Sequence, residues 1–448
     1  MSTYAWAYEN LLFAPWQRIV RRRPIRDHLA LLDTTQWLPR ESIARMQLAS
    51  LRELLAHAGR NVPYWRELFR STGFDPLGVR SVDDLRALPV LTRAIMQERR
   101  DDLVDPALRE TNIHKGTSGS TGVPLRFQYC NQSEAWRQAT RLRGWGWAGW
   151  RIGQRTVYYW GAGPAPVTGW SARKIQLDRA LKREVYVDAI HQDDASLRSF
   201  AETLTRFRPE AIVAYTQALV GFARWVNDQG ARDWPDVRIV CAAESVLPGD
   251  REALVAAFGP HVFETYGSRE TMLVAAECEK HNGMHLSEEN LLVEIVRDGR
   301  AAKPGESGDV VVTDLHNFGM PFIRYANGDV ATLADDGPCP CGRSLRRIAR
   351  VEGRIADTMR DAKGGTVPGM LFVTVLQEAR MNAFQATQLK SGVVDLKVVR
   401  GREWDEARFQ STMRRAEAYF KGFPIRVTYC DEIPAGPSGK RQPIVVER

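Results

Sequence analysis

A loop rich in glycine and hydroxyl side chains lies at residues 115–122, KGTSGSTG. Glycine lets the backbone approach a ligand closely, and successive N–H groups together with Ser and Thr hydroxyls can hold phosphate oxygens. The loop is not a Walker phosphate loop, because that motif places its lysine after the second glycine, whereas here Lys115 comes first. A flexible linker can have the same composition. The segment alone therefore indicates either a phosphate site of another kind or a linker.

Five more short motifs follow the loop, and each is weak when taken alone. They are AAES at 242–245, YGSRE at 266–270, YANGD at 325–329, GRIAD at 353–357 and PSGKRQ at 437–442. A single carboxylate or lysine in such a segment is most often a solvated surface residue. The order and spacing of the whole series give the evidence.

This series resembles the adenylate-forming superfamily of acyl-CoA ligases, luciferases and nonribosomal-peptide adenylation domains. It is most similar to the phenylacetate–CoA ligase branch with its CapK-type members, since LLAHAGRNVPYWRELF occurs at 54–69 and PCPCGR at 338–343. The resemblance extends over essentially the whole chain. It implies an ATP-dependent ligase that activates a carboxylic acid as its acyl adenylate and releases pyrophosphate.

The resemblance also implies which residues contact ATP or AMP. By this resemblance, the loop closes over the β- and γ-phosphates. Residues 243–245 frame the adenine, and Tyr266 stacks near that base. Asp329 accepts the ribose hydroxyls, and Arg354 adds a cation beside the ribose and phosphate. The full set is Thr117, Ser118, Gly119, Ser120, Thr121, Gly122, Ala243, Glu244, Ser245, Tyr266, Gly267, Ser268, Asp329 and Arg354.

Two catalytic residues follow from the same resemblance. Glu270 would hold Mg²⁺, a hard cation that prefers oxygen ligands shared with phosphate. Lys440 would bridge the substrate carboxylate and the α-phosphate, because a compact ammonium on a long stem can pair with two anions. Asp357 marks the hinge about which a small domain would move before acyl transfer.

A second group of residues has the composition of a metal site. Cys278, Cys339 and Cys341 with one histidine match a structural Cys₃His zinc site. Both His281 and His285 are near Cys278, and we prefer His285 because it begins a strand-like run that would fix its direction. Scattered buried thiols are the alternative, and the resemblance favours zinc. Four protein ligands would leave no open position, so the role would be structural.

The surrounding sequence predicts an α/β fold: a large N-terminal domain with mixed β-sheets layered with helices, and a small mobile α+β domain. A helical lead-in occupies 1–105; within it, apolar spacing predicts a helix over 42–58 with Ser42 as N-cap and Gly59 as stop. Short apolar runs then alternate with amphipathic stretches at 195–207 and 216–228, which is typical of layered α/β structure. We place the large domain at 1–355 and the small lid domain at 358–448.

Composition and charge limit the partners. The chain has 448 residues and a net charge of +8, but no stripe of Lys and Arg interleaved with aromatics, so we predict no nucleic-acid partner. Six cysteines and no export signal favour reduced thiols and a cytoplasmic location. Apolar residues at 4–16 precede arginines at 21–26. This segment could lie weakly on an anionic membrane, although packing against its own domain is the favoured interpretation.

The acyl acceptor is CoA in the leading interpretation, which makes the chain an aryl- or acyl-CoA ligase with ATP, Mg²⁺, CoA and a small carboxylic acid as its partners. In the alternative, a CapK-like ligase passes the acyl group to a separate carrier, an amine or a hydroxyl. A nucleotide-binding protein without activity is disfavoured, because Glu270, Asp329 and Lys440 are all present. A homodimer is left open.

Overall fold

The computed structural model describes most of the chain. The described residues are 2–116, 125–160, 169–189, 193–247, 249–354, 358–360, 366–368, 372, 376, 379, 381–401, 404–419, 423–434 and 442–447. Among them, no helix is both long and apolar enough to cross a membrane.

Eleven α-helices lie within the described ranges. They are α1 Thr3–Ala7, α2 Ile25–Thr35, α3 Arg40–Asn61, α4 Pro63–Thr72, α5 Arg93–Glu98, α6 Asn131–Trp147, α7 Gly169–Lys182, α8 Asp194–Phe207, α9 Thr216–Gln229, α10 Asp250–Phe258 and α11 Glu406–Tyr419. Two π-helical segments, Tyr8–Phe13 and Trp16–Val20, follow α1, and a 3₁₀ segment spans Val82–Ala87.

Twenty strands are described. They are β1 Ile113–Gly116, β2 Arg126–Tyr129, β3 Thr156–Trp160, β4 Glu184–Asp188, β5 Ala211–Tyr215, β6 Arg238–Ala242, β7 Val262–Ser268, β8 Met272–Glu277, β9 Met284–Leu286, β10 Leu291–Arg297, β11 Arg300–Ala301, β12 Ser307–Asp314, β13 Tyr325–Leu333, β14 Arg347–Arg354, β15 Thr358–Arg360, β16 Thr366–Pro368, β17 Ala383–Gln388, β18 Val394–Val399, β19 Ile425–Tyr429 and β20 Ile444–Val446.

The chain divides into two compact units, Met1–Ile152 with Thr265–Val351, and Gly153–Glu264 with Glu352–Arg448. The mixed α/β class predicted from the sequence is confirmed. The boundary between a large domain at 1–355 and a lid at 358–448 stays a prediction, and Asp357 lies outside the described residues.

The first unit holds helices α1–α6 and a sheet in the order β11-β10-β12-β13-β14-β9-β8-β7. The pairs that surround the site, β7–β8 and β8–β9, are antiparallel. Strands β1 and β2 form a separate antiparallel pair in which Gly116 lies opposite Arg126. Apolar residues of α3, α4 and β2 pack with Phe322 and Tyr325 in one core.

The helix predicted over 42–58 is longer at both ends, so the caps assigned to Ser42 and Gly59 are wrong. Helix α3 begins at Arg40 because the carbonyl of Pro39 accepts the N–H groups of Ser42 and Ile43. It continues through Gly59 and ends where Val62 is extended before Pro63, as expected since a residue before proline avoids the helical region.

The second unit contains a parallel sheet of β4, β3, β5 and β6, to which the first residues of β7 add in parallel. Helices α8, α9 and α10 alternate with these strands, as the sequence predicts, and all five residues of β5 are buried. Near the end of the chain, β19-β18-β17-β20 form a four-stranded sheet, and Phe409 and Met413 of α11 pack in a core with its strands.

Candidate nucleotide site and Cys/His cluster

Strands β1 and β2 flank the predicted phosphate loop. Residues 117–122, like Lys440 and Asp357, lie outside the described residues, and for Arg354 only the backbone is described, at the end of β14. A cavity of about 890 Å³ runs beside this strand pair. Its lining includes Arg100, Arg109, His114, Lys115 and Arg126. The lining also includes Asp101 and Glu110, and Arg100 pairs with Asp101 at 3.1 Å, so basic side chains outnumber acidic ones beside the loop.

The YGSRE segment is tied to its surroundings by two arginines. Nη1 of Arg269 donates to the carbonyl oxygen of Gly116, at 2.9 Å, at the end of β1. The buried Arg137 of α6 donates to the carbonyl oxygens of Arg269, at 2.8 Å, and of Glu270. Its guanidinium also lies 4.3 Å from the ring centroid of Tyr129. Helix α6 thus fixes the backbone that presents Glu270.

Gly267 has a steric reason to be glycine. A Cβ at this position would lie 1.8 Å from the carbonyl oxygen of Met272, across a bulge between β7 and β8. Met272 itself has φ of +63°, a strained value for a residue with a side chain. The Ser268 hydroxyl accepts the N–H of Thr271 at 3.2 Å and so closes the turn before β8.

Tyr266 and Asp329 meet directly. The Tyr266 hydroxyl donates to Oδ2 of Asp329 at 2.8 Å, and Nδ2 of Asn327 donates both to that hydroxyl, at 2.7 Å, and to the same carboxylate oxygen, at 3.0 Å. Asn327 and Asp329 lie on either side of Gly328, which has φ of +85°, where the pairing of β13 with β12 is irregular, and their side chains meet there. These three residues are called here the Tyr–Asn–Asp group, in which Tyr266 and Asn327 both donate to Oδ2 of Asp329.

Residues 243–245, in the second unit, are held by the N-terminus of α9. The Thr216 hydroxyl donates to the carbonyl oxygen of Glu244 at 2.7 Å, and the N–H of Gln217 donates to the Glu244 carboxylate at 3.0 Å. Ala243 has φ of +69°, which marks a sharp change of direction after β6. A carboxylate at a helix N-terminus is favoured by the positive end of the helix dipole.

Glu270 has the side-chain chemistry expected of the magnesium ligand that the resemblance implies. The residue is buried, and within the described part of the chain no group donates a hydrogen bond to its carboxylate. The donor set, a hard oxygen, fits Mg²⁺.

The structure brings Cys278, His285, Cys339 and Cys341 together. One potential ligand atom from each lies within 4.8 Å of all the others. The sulfurs of Cys278 and Cys339 are 3.7 Å apart, and Nε2 of His285 is 3.3 Å from the sulfur of Cys341. We call these four residues the Cys/His cluster. His281 lies outside it and instead contacts the Glu277 carboxylate at 3.3 Å.

The surroundings of the cluster fit a bound cation. Nδ1 of His285 faces the carbonyl oxygen of Leu345 at 3.1 Å, so the other nitrogen is the one available to a metal. Burial lowers the pKa of His285 to about 4, which keeps the imidazole neutral. Burial also raises the pKa of the Cys278 thiol to about 12. A thiol in this setting ionises readily only when a metal binds it, and a Cys₃His donor set suits Zn²⁺.

Four supporting residues were not predicted: Arg137, Asn327, Thr216 and Gln217. Only Asn327 carried a signal, since it precedes Asp329 by two positions in a strand-like run. The other three act on segments more than 25 residues away, and nothing in their local sequence indicates that contact.

Comparison with known proteins identifies related chains. A phenylacetate–coenzyme A ligase from Thermus thermophilus is 25% identical over 348 residues, which cover 72% of each chain. Protein CapK from Staphylococcus aureus is 20% identical over 405 residues, 89% of this chain and 88% of its own. No protein-family model matches the chain.

A solved structure shares the fold. A 2-hydroxyisobutyryl-CoA ligase, crystallised in the postadenylation state with an acyl adenylate, superimposes with a TM-score of 0.74 over 92% of this chain and 91% of its own. At 18% identity this likeness concerns the fold. Together with the sequence relatives it confirms the resemblance. The chain is similar to adenylate-forming ligases, and among them to the branch that includes phenylacetate–coenzyme A ligase and CapK.

Proposed function

We propose that the chain is an AMP-forming acid–CoA ligase. In the first step a carboxylate oxygen attacks the α-phosphorus of ATP, the bond to the β-phosphate oxygen breaks, and acyl adenylate and pyrophosphate form. In the second step the CoA thiol attacks the acyl carbon, and AMP leaves as the thioester forms. The observation that supports this most is the Tyr–Asn–Asp group, which places the predicted ribose acceptor Asp329 beside the predicted adenine contact Tyr266.

Each residue has a distinct part in this proposal. Asp329 would accept the ribose hydroxyls with its carboxylate, which Tyr266 and Asn327 hold in place through Oδ2. Residues 117–122 would donate N–H and hydroxyl groups to the β- and γ-phosphates. Lys440 would offset the negative charge that accumulates where carboxylate and α-phosphate meet.

Two metal ions belong to the proposal. Glu270 would hold Mg²⁺, which supplies positive charge to the phosphate oxygens. Cys278, His285, Cys339 and Cys341 would hold a structural Zn²⁺ that ties the turn after β8 to the segment before β14. Since all four positions are filled by protein ligands, zinc would take no part in catalysis.

The experiment that tests the first step is acid-dependent ATP–pyrophosphate exchange. A panel of aryl, fatty, amino and sugar acids, with the adenylate trapped by hydroxylamine, first identifies an acid that the chain activates. Lys440→Ala should then lower exchange by at least about 100-fold, because one electrostatic contact to the transition state contributes on that scale. Lys397→Ala, on β18, is the matched control and should exchange as the wild type does. Equal exchange in the wild type and Lys440→Ala would overturn the assignment of the lysine.

A second acceptor remains the alternative that follows from the resemblance to CapK, which aligns with 89% of this chain. In this alternative an amine or hydroxyl takes the acyl group in place of the thiol. The two are separated by AMP release under multiple turnover with an acid already shown to form its adenylate. Dependence of AMP release on added CoA supports the CoA ligase, whereas unchanged release with and without CoA supports another acceptor.

A further inference from the structure

The helical segment at residues 3–20 has an unusual surface. Large apolar side chains are exposed along it: Trp6 49%, Leu11 68%, Leu12 47%, Trp16 51%, Ile19 75% and Val20 54%. Elsewhere in the described chain, exposed side chains of this kind occur at Leu31, Trp37, Leu77, Val255 and Tyr429, and in a second group at Ile175, Leu177, Leu181 and Tyr186. Monomeric proteins seldom expose a contiguous apolar patch, and patches of this kind mark interaction sites. Packing against its own domain, the favoured expectation from the sequence, does not account for these side chains.

Positive charge borders the apolar residues. Arg21, Arg22 and Arg26 are exposed, and no carboxylate in the described part of the chain forms an ion pair within 4.0 Å of them. Arg18, the other exposed arginine of the segment, is neutralised by Asp27 at 2.9 Å. The surface thus combines apolar side chains with exposed guanidinium groups, of which that of Arg26 also interacts at longer range with the Glu9 carboxylate.

The segment is fixed to the first unit and does not hang free of it. Nδ2 of Asn131, the first residue of α6, donates to the carbonyl oxygens of Arg21, at 2.9 Å, and Arg22, at 3.2 Å. In return Nε of Arg23 donates to Oδ1 of Asn131 at 2.6 Å. Within the segment, the side chains of Ala5 and Tyr8 are buried. The apolar side chains are therefore presented outward at a set orientation.

We propose that residues 3–26 form a docking surface for a phospholipid bilayer with anionic headgroups. Helical segments with Trp and Leu on one side and arginines beside them bind at the boundary of headgroups and acyl chains. Each arginine near such a surface strengthens binding. A second copy of the chain fits less well, because a twofold interface through the same surface would bring the arginines of both copies toward each other.

The test is co-sedimentation of the full chain with vesicles. Binding is expected with phosphatidylglycerol mixed into phosphatidylcholine, little binding with phosphatidylcholine alone, and weakening as salt rises. The triple variant Leu11→Gln, Leu12→Gln and Ile19→Gln should lower partitioning by about tenfold or more. The matched control replaces exposed apolar residues elsewhere, Leu77→Gln, Ile175→Gln and Leu177→Gln, and should bind as the wild type does.

A charge variant tests the other half of the proposal. Arg21→Gln with Arg26→Gln should lower binding to the anionic vesicles by about tenfold or more and leave binding to phosphatidylcholine unchanged. Arg66→Gln with Arg70→Gln, at exposed sites on α4, is its control. The charge variant keeps the test valid even if the apolar triple variant unfolds.

Three results would overturn the proposal. The first is no binding of the wild type to anionic vesicles. The second is an equal loss in the segment variants and their controls. The third is light scattering that shows a dimer in the wild type and a monomer in the Leu11, Leu12 and Ile19 variant, which would assign the surface to a second copy.

Discussion

The Cys/His cluster and the Tyr–Asn–Asp group are assembled alike but completed differently. Each joins residues more than 50 positions apart in the sequence. In the Tyr–Asn–Asp group the polar atoms satisfy each other at 2.7–3.0 Å. In the cluster, three thiols and an imidazole are buried or partly buried, with one potential ligand atom from each within 4.8 Å of the others. A cation is the partner that suits all four.

This difference predicts where a substitution in each group of residues has its main effect. A metal cluster concentrates a large free energy in four side chains, so losing one ligand should affect the whole fold. A closed hydrogen-bonded group contributes little net free energy per bond but positions one oxygen accurately. Changes in the cluster should therefore appear mainly in stability, and changes in the group mainly in activity.

The largest effect is expected from Cys278→Ser. Following from the zinc proposal, we expect it to lower the free energy of unfolding by about 4 kcal/mol or more, since loss of a structural metal is among the largest single-residue effects. Thermal unfolding and metal content of the purified protein measure this. Cys241→Ser, at another fully buried thiol, should cost about 1–3 kcal/mol with the metal content unchanged. Equal losses in both variants, or a folded wild type without metal, would contradict the zinc assignment.

A smaller effect on stability is expected at His316, which stacks on Trp136 with ring centroids 3.9 Å apart. Burial lowers the pKa of His316 from 6.5 to about 4. Between these values the unfolded chain binds a proton that the folded chain does not, so stability is lost as pH falls from 6.5 towards 4. The loss in free energy of unfolding that is caused by His316 reaches about 3 kcal/mol near pH 4.

The variant His316→Gln should flatten the dependence of unfolding free energy on pH by up to about 1.4 kcal/mol per pH unit in that range. Denaturant unfolding at several pH values measures the slope. His114→Gln, at an exposed position on β1, is the matched control, and its slope should equal that of the wild type. A His316 variant with the wild-type slope would show that burial does not keep the ring neutral.

Within the Tyr–Asn–Asp group, Asp329→Asn should lower kcat/KM for ATP by about 100-fold, because the ribose hydroxyls lose a charged acceptor. The thermal midpoint should change little, since the asparagine oxygen still accepts from Tyr266. ATP–pyrophosphate exchange with an activated acid measures the activity. Unchanged kcat/KM would remove Asp329 from the nucleotide site.

The smallest effect is expected from Tyr266→Phe. This change keeps the aromatic ring that is proposed to contact the adenine, and it removes only the hydroxyl that donates to Asp329. We expect about a tenfold rise in KM for ATP with kcat nearly constant, as for the loss of one orienting hydrogen bond. A fall in stability as large as that of Cys278→Ser would mean that the group is structural and the comparison with the cluster is wrong.

The sequence predicted the cluster more completely than the nucleotide site. Cysteine and histidine are few in this chain; their spacing left scattered thiols as an alternative, and the resemblance favoured the ligand set that the structure brings together. Asp329 and Tyr266 were identified through the order of motifs along the chain. Arg137 and Gln217 were missed because arginine and glutamine are common, and their importance arises only from contacts with distant segments.

Element boundaries show the same limit. The alternation of strands and helices between β3 and β7 followed from apolar periodicity, but the ends of α3 did not. Pro39 and Val62 set those ends through hydrogen bonding and the restriction before Pro63, and both outweigh the serine cap and glycine stop that local preference indicates.

Helix α6 connects two features that were described separately. Asn131 holds the backbone of Arg21 and Arg22, and Arg137 holds that of Arg269 and Glu270. Asn131 and Arg137 are six positions apart on the helix, which corresponds to a rise of about 9 Å along its axis. Docking through residues 3–26 would therefore set the height and tilt of the YGSRE segment above the lipid. An acid that partitions into the bilayer would then reach the enzyme by lateral diffusion in two dimensions, at a constant distance from Glu270, the proposed magnesium ligand.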